Sequence, residues 1–314
     1  MRLGRRALLA TPALLAAQAA QAAPLPILNV GDQKGGVEAL LKAAGLLEGA
    51  PVRLVFSQFG AAAPLLEALN AGAVDVAAVG DAPATFALAS GVRARIVAAT
   101  RGTGASTAVV VPDGSAIRTP SDLRGKLIAT NRGSIGHALL LALAQREGWD
   151  AKDVQIANLL PADARAALRS GAVAGWSTWN SYVAQARLDD GARVVVDGRA
   201  GLLTGLSYQV ASGTAIASRR EALGLFLGLV VRGRRWALDN ADRYARALAA
   251  EIGISQAVAR LAFDTDLPHA VPLDDSVIAS EQQTIDLLAR SQLIRERLQA
   301  GPLFDRSFSD GSAY

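Results

Sequence analysis

The segment PLPILNVGDQKGGVEALLKAAGLL, residues 24–47, combines a strand, a glycine-rich turn and a helix in that order. Apolar residues are nearly continuous over residues 25–30, which is typical of a buried strand. From residue 37 to residue 47 they recur every three or four positions, the spacing of an amphipathic helix. A further strand is predicted at residues 52–56. The segment therefore predicts the strand–helix–strand unit from which parallel sheets are built.

The same alternation continues along the chain and predicts an α/β fold with two lobes. The first set of predicted strands lies at residues 25–30, 52–56, 74–79 and 96–100. The second set lies at residues 108–111, 126–130, 154–158, 174–178 and 192–196. Residues 219–297 have helical spacing nearly throughout, and we expect this C-terminal segment to close the first lobe.

Two crossings between the lobes are expected, near residues 107–112 and 208–214. They assign residues 24–110 together with 212–314 to lobe 1, and residues 111–211 to lobe 2. A cleft between two such lobes is a natural ligand site, because strand ends and helix N-termini point into it.

The first 23 residues have the composition of an export signal. Arginines at positions 2, 5 and 6 precede an apolar run at residues 7–17, and residues 20–22 (AQA) fit the small-x-small pattern of a cleavage site. The Arg5-Arg6 pair leaves both the twin-arginine and the general secretory routes open. The chain has no cysteine, which excludes a lipid anchor on a cysteine. We expect an exported, soluble, periplasmic protein whose signal peptide is removed.

Charge and composition exclude several classes of function. The formal net charge is +4, but three of the arginines lie in the signal, so residues 24–314 are near +1 and have no basic stripe typical of nucleic-acid binding. The absence of cysteine excludes a disulfide scaffold, a thiolate metal site and a cysteine nucleophile. His137 and His269, the two histidines, are far apart in sequence and do not indicate a metal site. No cofactor is expected.

Three turns that join a strand to a helix are candidate anion sites, at residues 31–36 (GDQKGG), 80–83 (GDAP) and 130–137 (TNRGSIGH). Free N–H groups and the positive end of the helix dipole at such turns suit an oxyanion. Gln33 and Ser134 are neutral donors of suitable reach. Glycine at such turns is usually a matter of geometry, so any one turn, taken singly, is better explained as structural than as ligand-binding.

Other candidates for the ligand site have alternative structural roles. Lys34 could neutralise an anion or simply be a solvated lysine. Asp81 is a candidate N-cap for the helix predicted at residues 83–90. Trp176 and Trp179 could form an apolar wall with indole donors, with a place in the core as the alternative for Trp176. Arg101, after the strand at residues 96–100, either faces the cleft or belongs to a loop.

At these residues the chain resembles the aliphatic sulfonate-binding proteins of ABC importers, within the wider sulfonate, taurine and nitrate group. The resemblance covers essentially the whole chain after the signal. It rests on the segments QKGG (33–36), PLLEALNAG (64–72), GDAP (80–83), LRGK (123–126), Gly133-Ser134 with His137, PADARAA (161–167), and Trp176 with Trp179.

The resemblance implies a two-lobe periplasmic binding protein of type II, with a role in sulfur metabolism. The implied partners are a small organic anion, an alkanesulfonate, and the permease of an ABC transporter, with the binding protein itself a monomer and not an enzyme. The complete set of expected ligand-binding residues is Gln33, Lys34, Gly35, Asp81, Ala82, Arg101, Ser134, His137, Trp176, Trp179 and Asn180.

The chain also departs from the pattern of this group. Asn180-Ser181 stand where members tend to have Asp-Pro, and Ile135 replaces a small hydroxyl residue. The lost acid favours a ligand with an uncharged tail, while taurine, a sulfate ester and nitrate stay open as ligands. Sulfinate desulfinases and thiamine-pyrimidine enzymes resemble these binders, but the desulfinases depend on a cysteine. His137 is the one histidine near the expected cleft, and no nucleophile-elbow pattern accompanies it. A sensor that presents its ligand to a receptor is a third alternative.

Overall fold

The computed structural model describes residues 24–150 and 153–308. The expected signal peptide, residues 1–23, lies outside the described residues. None of the helices in the described ranges combines the length and the apolar character that a membrane span requires.

The described residues form eleven strands and eleven helices. The strands are β1 (Ile27–Gln33), β2 (Arg53–Phe59), β3 (Val76–Gly80), β4 (Ala94–Arg101), β5 (Thr107–Val111), β6 (Leu127–Thr130), β7 (Gln155–Asn158), β8 (Gly175–Trp179), β9 (Arg193–Asp197), β10 (Leu206–Ser212) and β11 (His269–Val271). The helices are α1 (Val37–Ala43), α2 (Ala62–Asn70), α3 (Asp81–Ala89), α4 (Ile135–Glu147), α5 (Pro161–Ser170), α6 (Ser181–Leu188), α7 (Gly213–Ser218), α8 (Arg220–Asp239), α9 (Ala241–Ile252), α10 (Gln256–Asp266) and α11 (Asp275–Arg290).

Two sheets divide the molecule into the two predicted lobes. The first sheet has the order β11-β4-β10-β3-β1-β2 and the second has the order β7-β6-β8-β5-β9. Strand β1 is parallel to β2 and to β3, whereas β10 runs antiparallel between β3 and β4. In the second sheet β5 is the antiparallel strand, between β8 and β9. Strands β10 and β5, which are antiparallel to both of their neighbours, each directly follow a segment of chain that crosses between the lobes.

The crossings lie at residues 102–106 and 198–205, between β4 and β5 and between β9 and β10. The expected crossings near 107–112 and 208–214 fall instead on β5 and β10. The expected lobe boundaries, at 110/111 and 211/212, therefore lie near the C-terminal ends of these two strands. The reason is burial: Val109, Val110 and Val210 are fully inaccessible to solvent and belong to sheet interiors. The true crossings are marked by glycine, at positions 102 and 104 in one and 198, 201 and 205 in the other.

The C-terminal helices pack against the first lobe, as expected. Helix α8 lies on α1 and α11 lies on α3. Strand β11 was not predicted, because three residues are too few to show an alternation. It pairs antiparallel with β4 and extends the first sheet at its edge.

Candidate functional site

A cavity of about 510 Å³ lies between the two lobes, and residues of both lobes line it. All three turns singled out in the sequence reach it, through Gln33 and Gly80 from the first lobe and Ser134 from the second. Parallel strands end at the same edge of a sheet, so the helices that follow them begin beside one another. The topology therefore gathers turns that are about 50 residues apart in the chain.

The turn before α4 is an open helix start. The Ser134 hydroxyl caps the helix by accepting a hydrogen bond from the His137 backbone N–H, at 3.2 Å. The backbone N–H groups of Ile135 and Gly136 belong to the first helical turn and have no acceptor within the helix. A Cβ at Gly136 would overlap the Ser177 carbonyl oxygen, so glycine lets α4 begin tight against β8. The arrangement suits an anion at the N-terminus of α4.

The turn before α1 differs, because a carboxylate of the chain already fills it. The Asp32 side chain accepts hydrogen bonds from the backbone N–H groups of Glu38 at 2.8 Å and Gln33 at 2.9 Å. Burial raises the pKa of Asp32, against the lowering effect of these backbone bonds. Gln33, Lys34 and Gly35 line the cavity nonetheless, so this turn offers side chains to a ligand while its helix end is occupied.

Asp81 and Ala82 do not border the cavity, contrary to expectation. The Asp81 carboxylate is buried and accepts hydrogen bonds from the hydroxyls of Thr204 and Thr284, the latter at 3.0 Å. Burial raises its pKa. Both residues line a second cavity of about 260 Å³, and Gly80 takes their place at the first. Asp81 is the first residue of α3, and its side chain points back toward the second crossing.

Trp176 and Trp179 separate because they lie on a strand. Both belong to β8, where residues three apart point to opposite faces of the sheet. Trp176 is 1% exposed and packs in the core of the second lobe, so the expectation that it borders the cleft is not met. Trp179 lines the cavity. Tyr182 contacts both rings, at centroid distances of 5.9 Å and 6.1 Å.

Asn180 lines the cavity with a backbone in an unusual region. Its φ of 50° and ψ of −129° are rarely adopted by residues other than glycine, and asparagine tolerates a positive φ better than most. Its backbone N–H donates to the carbonyl oxygen of Ser106, at 2.7 Å. This bond joins the start of α6 to the first crossing.

His137 and Arg101 lie outside the cavity lining. The His137 Nδ1 accepts a hydrogen bond from the Gly133 backbone N–H at 3.1 Å, and burial lowers the pKa of the ring to about 4, with a smaller effect from the charge of Arg132. Arg101 donates to the Thr204 carbonyl at 3.4 Å and to the Ser280 hydroxyl at 3.3 Å. His137 therefore bonds within its own turn, whereas Arg101 joins β4 to the second crossing and to α11.

Several residues that the sequence did not single out also line the cavity. They come from β4, the first crossing, the turn before α4, β10 and the C-terminal helices: Thr100, Ser106, Asn131, Arg132, Ser207, Gln209, Arg234, Tyr244, Phe263 and Asp266. The sequence has apolar residues at helical spacing in α8 to α10, but it does not reveal which helix face meets the cleft. Arg132 lies within a turn that was singled out and could have been named on its charge.

Comparison with known proteins now identifies the family. The model of the family described as NMT1/THI5 like matches residues 47–243, more than half of the chain. The chain belongs to the NMT1/THI5-like family. Within this family, a protein of Escherichia coli (strain K12) named as an aliphatic sulfonates-binding protein is 32% identical over 294 residues, 90% of this chain and 89% of that one. A Bacillus subtilis (strain 168) protein of the same name is 24% identical over 281 residues, 90% of this chain and 83% of that one.

Solved structures of similar proteins have the same fold. The alkanesulfonate-binding protein SsuA from Xanthomonas axonopodis pv. citri, bound to MOPS, superposes with a TM-score of 0.84 at 30% identity, over 91% of this chain and 100% of that one. The periplasmic aliphatic sulphonate-binding protein SsuA from Escherichia coli gives 0.79 at 30% identity, over 90% and 92%. The desulfurization enzyme DSZB gives 0.65 at 19% identity and shares the fold alone. The resemblance to aliphatic sulfonate-binding proteins and the periplasmic binding protein fold are thereby confirmed.

Proposed function

We propose that this family member binds an aliphatic sulfonate in the cavity between its lobes and delivers it to the permease of an ABC importer. In this proposal it acts in the periplasm as a monomer, after removal of residues 1–23. The sulfonate is the substrate class named for relatives that share 30% or more of the sequence over about nine-tenths of the chain.

One observation carries the proposal: an open helix start and a cation from each lobe, Lys34 and Arg132, face the same cavity. The N-terminus of α4, with Ser134, contributes neutral donors. Lys34 from the first lobe and Arg132 from the second line the cavity, and neither has a carboxylate within 4.0 Å in the described part of the chain. A sulfonate stays ionised at any physiological pH, so donors and fixed charges hold it without any proton transfer.

Contacts between the lobes support capture by closure. Helix α6 of the second lobe packs on α10 of the first, and α4 packs on α3 and α11. A ligand in the cavity touches both lobes and so favours this closed arrangement over an open one. Such a difference in shape is what a membrane permease can recognise.

Catalysis by His137 has no support from the geometry. The ring is buried, one of its nitrogens accepts a hydrogen bond from Gly133, and it is absent from the cavity wall. A general base must reach the proton that it removes. Relatives with 30% or more sequence identity, from Escherichia coli and Xanthomonas axonopodis pv. citri, are by their names binding proteins.

Calorimetry and thermal melting with methane-, butane- and hexanesulfonate test the proposal. We expect micromolar or tighter binding of at least one sulfonate and a raised melting temperature, with a sulfate ester, taurine and nitrate as comparison ligands. Arg132→Gln should weaken binding about tenfold at low salt and less at high salt. Lys126→Gln, at an exposed lysine away from the cavity, is the matched control and should bind as the parent does. Absence of binding to every sulfonate would overturn the proposal.

A further inference from the structure

The charged side chains on the cavity wall differ in their burial and in the charged groups near them. The buried Asp32 carboxylate feels the positive charge of Arg234, whose Nε is buried and has no hydrogen-bond partner among the described residues. Glu67 is exposed to water at the rim. Asp266 is half-buried, lines the cavity, and has no basic side chain within 4.0 Å in the described residues. Among the cavity-lining carboxylates of the described residues, Asp266 is therefore the half-buried one without a basic side chain within 4.0 Å.

One carboxylate oxygen of Asp266 accepts hydrogen bonds from the chain, and the other accepts none among the described residues. Asp266 is the last residue of α10. Its Oδ1 accepts hydrogen bonds from the Gly104 backbone N–H at 3.2 Å and from the Thr103 hydroxyl at 3.4 Å. Its Oδ2 lies beside Gly102, so close that a Cβ at that position would overlap it, and it accepts no described hydrogen bond. The side chain is thus held in place with a free acceptor at the cavity wall.

We propose that Asp266 selects sulfonates whose tail carries a positively charged hydrogen-bond donor, so that aminoalkanesulfonates bind better than plain alkanesulfonates of the same size. This proposal rests on the proposed function. A partly desolvated carboxylate without a counter-ion gains most from a ligand ammonium, because a charge-assisted hydrogen bond in a water-poor site is strong. Lys34 and Arg132 remain for the sulfonate head, so the two ends of the ligand meet opposite charges.

The size of the cavity is consistent with a substituted tail. Its volume of about 510 Å³ lies in the range of roughly 300–1,000 Å³ that holds drug-sized ligands, well above what a one- or two-carbon sulfonate fills. The sequence favoured an uncharged tail because Asn180-Ser181 lack an acid. Asp266 supplies a carboxylate from the other lobe instead. Since its Oδ1 binds Gly104 in the first crossing, a tail on Oδ2 would also stabilise the closed arrangement of the lobes.

A matched ligand pair tests the proposal directly. 3-Aminopropanesulfonate and butanesulfonate have nearly the same size and differ in a terminal ammonium against a methyl group. Calorimetry should give a dissociation constant about tenfold lower for the amino compound with the parent protein, a preference that shrinks with salt. Asp266→Asn keeps the Oδ1 acceptor and should abolish the preference. Asp264→Asn, on the same helix where Asp264 pairs with the exposed Arg260, should keep it.

Each outcome decides one of the two proposals. If neither sulfonate binds the parent protein, the proposed function fails. If butanesulfonate binds as well as the amino compound, or if Asp266→Asn weakens both ligands equally, Asp266 only holds the first crossing and the selectivity proposal is overturned. The comparison on the parent protein needs no variant, so it decides the matter even if Asp266→Asn does not fold. Melting temperatures of both variants show whether the fold is retained.

Discussion

At the scale of single residues, identical side chains in one strand have different roles. Trp176 and Trp179 share β8, yet one packs in the core and the other lines the cavity, because successive side chains alternate between the faces of a sheet. Two aspartates also differ in role. The Asp32 carboxylate accepts hydrogen bonds at the start of α1, whereas the Asp266 carboxylate keeps one oxygen without a described hydrogen bond. The identity of a residue alone does not reveal its role.

The tryptophan pair gives a prediction about stability and binding. Trp176→Ala removes a fully buried ring and should lower the free energy of unfolding by about 3–5 kcal/mol. Trp179→Ala, at a half-buried wall position, should have a smaller effect on stability and should weaken sulfonate binding severalfold. Urea unfolding and calorimetry on both variants check this. Equal stability losses for the two would contradict the assignment of Trp176 to the core.

His137 gives a prediction about pH. Its pKa is lowered to about 4 by burial, so it stays neutral in the folded protein while the unfolded chain takes up a proton below about pH 6.5. The unfolded state therefore binds more protons in this window, and the free energy of unfolding falls as the pH drops from about 6.5 to 4. The full effect is about 3 kcal/mol.

The comparison with His137→Gln isolates this contribution, because the other titrating groups act in both proteins. The difference in the free energy of unfolding between parent and variant should change by about 3 kcal/mol from pH 7 to pH 4, measured by urea unfolding. If the free energy of unfolding depended on pH in the same way in both proteins, His137 would not be a buried ring that stays neutral down to about pH 4. Sulfonate affinity should be unchanged in the parent between pH 6 and pH 8, since His137 does not titrate there.

At the scale of elements, the two crossings lie side by side with backbone packed on backbone. The Gly102 N–H donates to the Gly205 carbonyl at 2.9 Å, and the Gly198 N–H donates to the Thr107 carbonyl at 2.9 Å. Side chains would not fit between them: a Cβ at Gly205 would overlap the Gly102 carbonyl oxygen. Asp266 and Thr204 hold the crossings from outside, through Gly104 and through the Asp81 carboxylate.

Two glycines of the second crossing give a matched test of this close backbone packing. Gly201 and Gly205 have φ of 77° and 71°, but only Gly205 is hemmed in by neighbouring backbone. Gly201→Ala should lower the free energy of unfolding by about 1 kcal/mol, the cost of the positive φ. Gly205→Ala should lower it by a further 1–3 kcal/mol or so, because backbone must move. Urea unfolding measures both, and equal losses would argue against close packing of the crossings.

At the scale of the whole molecule, the cavity exists because two sheets of similar construction meet. In both lobes, parallel strands lead into helices that begin at the cleft, and each lobe supplies a cation to the wall, Lys34 from one and Arg132 from the other. The C-terminal helices complete the wall on the first lobe and contact α6 of the second. A ligand that joins charges from both lobes is the simplest source of a stable closed state.

Much of this architecture could be predicted from the sequence. The strand–helix alternation, the two lobes and the position of the helical C-terminal segment followed from hydrophobic periodicity, and the turns holding Gln33 and Ser134 followed from local composition. The expected crossings differ by several residues from those in the structure. Short apolar runs such as residues 107–111 have no local sequence feature that distinguishes a linker from a buried strand.

The sequence by itself determined the elements and the turns, because hydrophobic spacing, helix caps and glycine at positive φ act over a few neighbouring residues. Only the tertiary structure decided which side chains face the ligand. It buried Trp176, Asp81 and His137, and it brought Arg234 and Asp266 to the same wall as Lys34 and Ser134, which lie at least 100 residues earlier in the chain. The physical reason is that orientation toward a shared cavity depends on packing between distant elements, and the free energy of that packing is not encoded in any short stretch of chain.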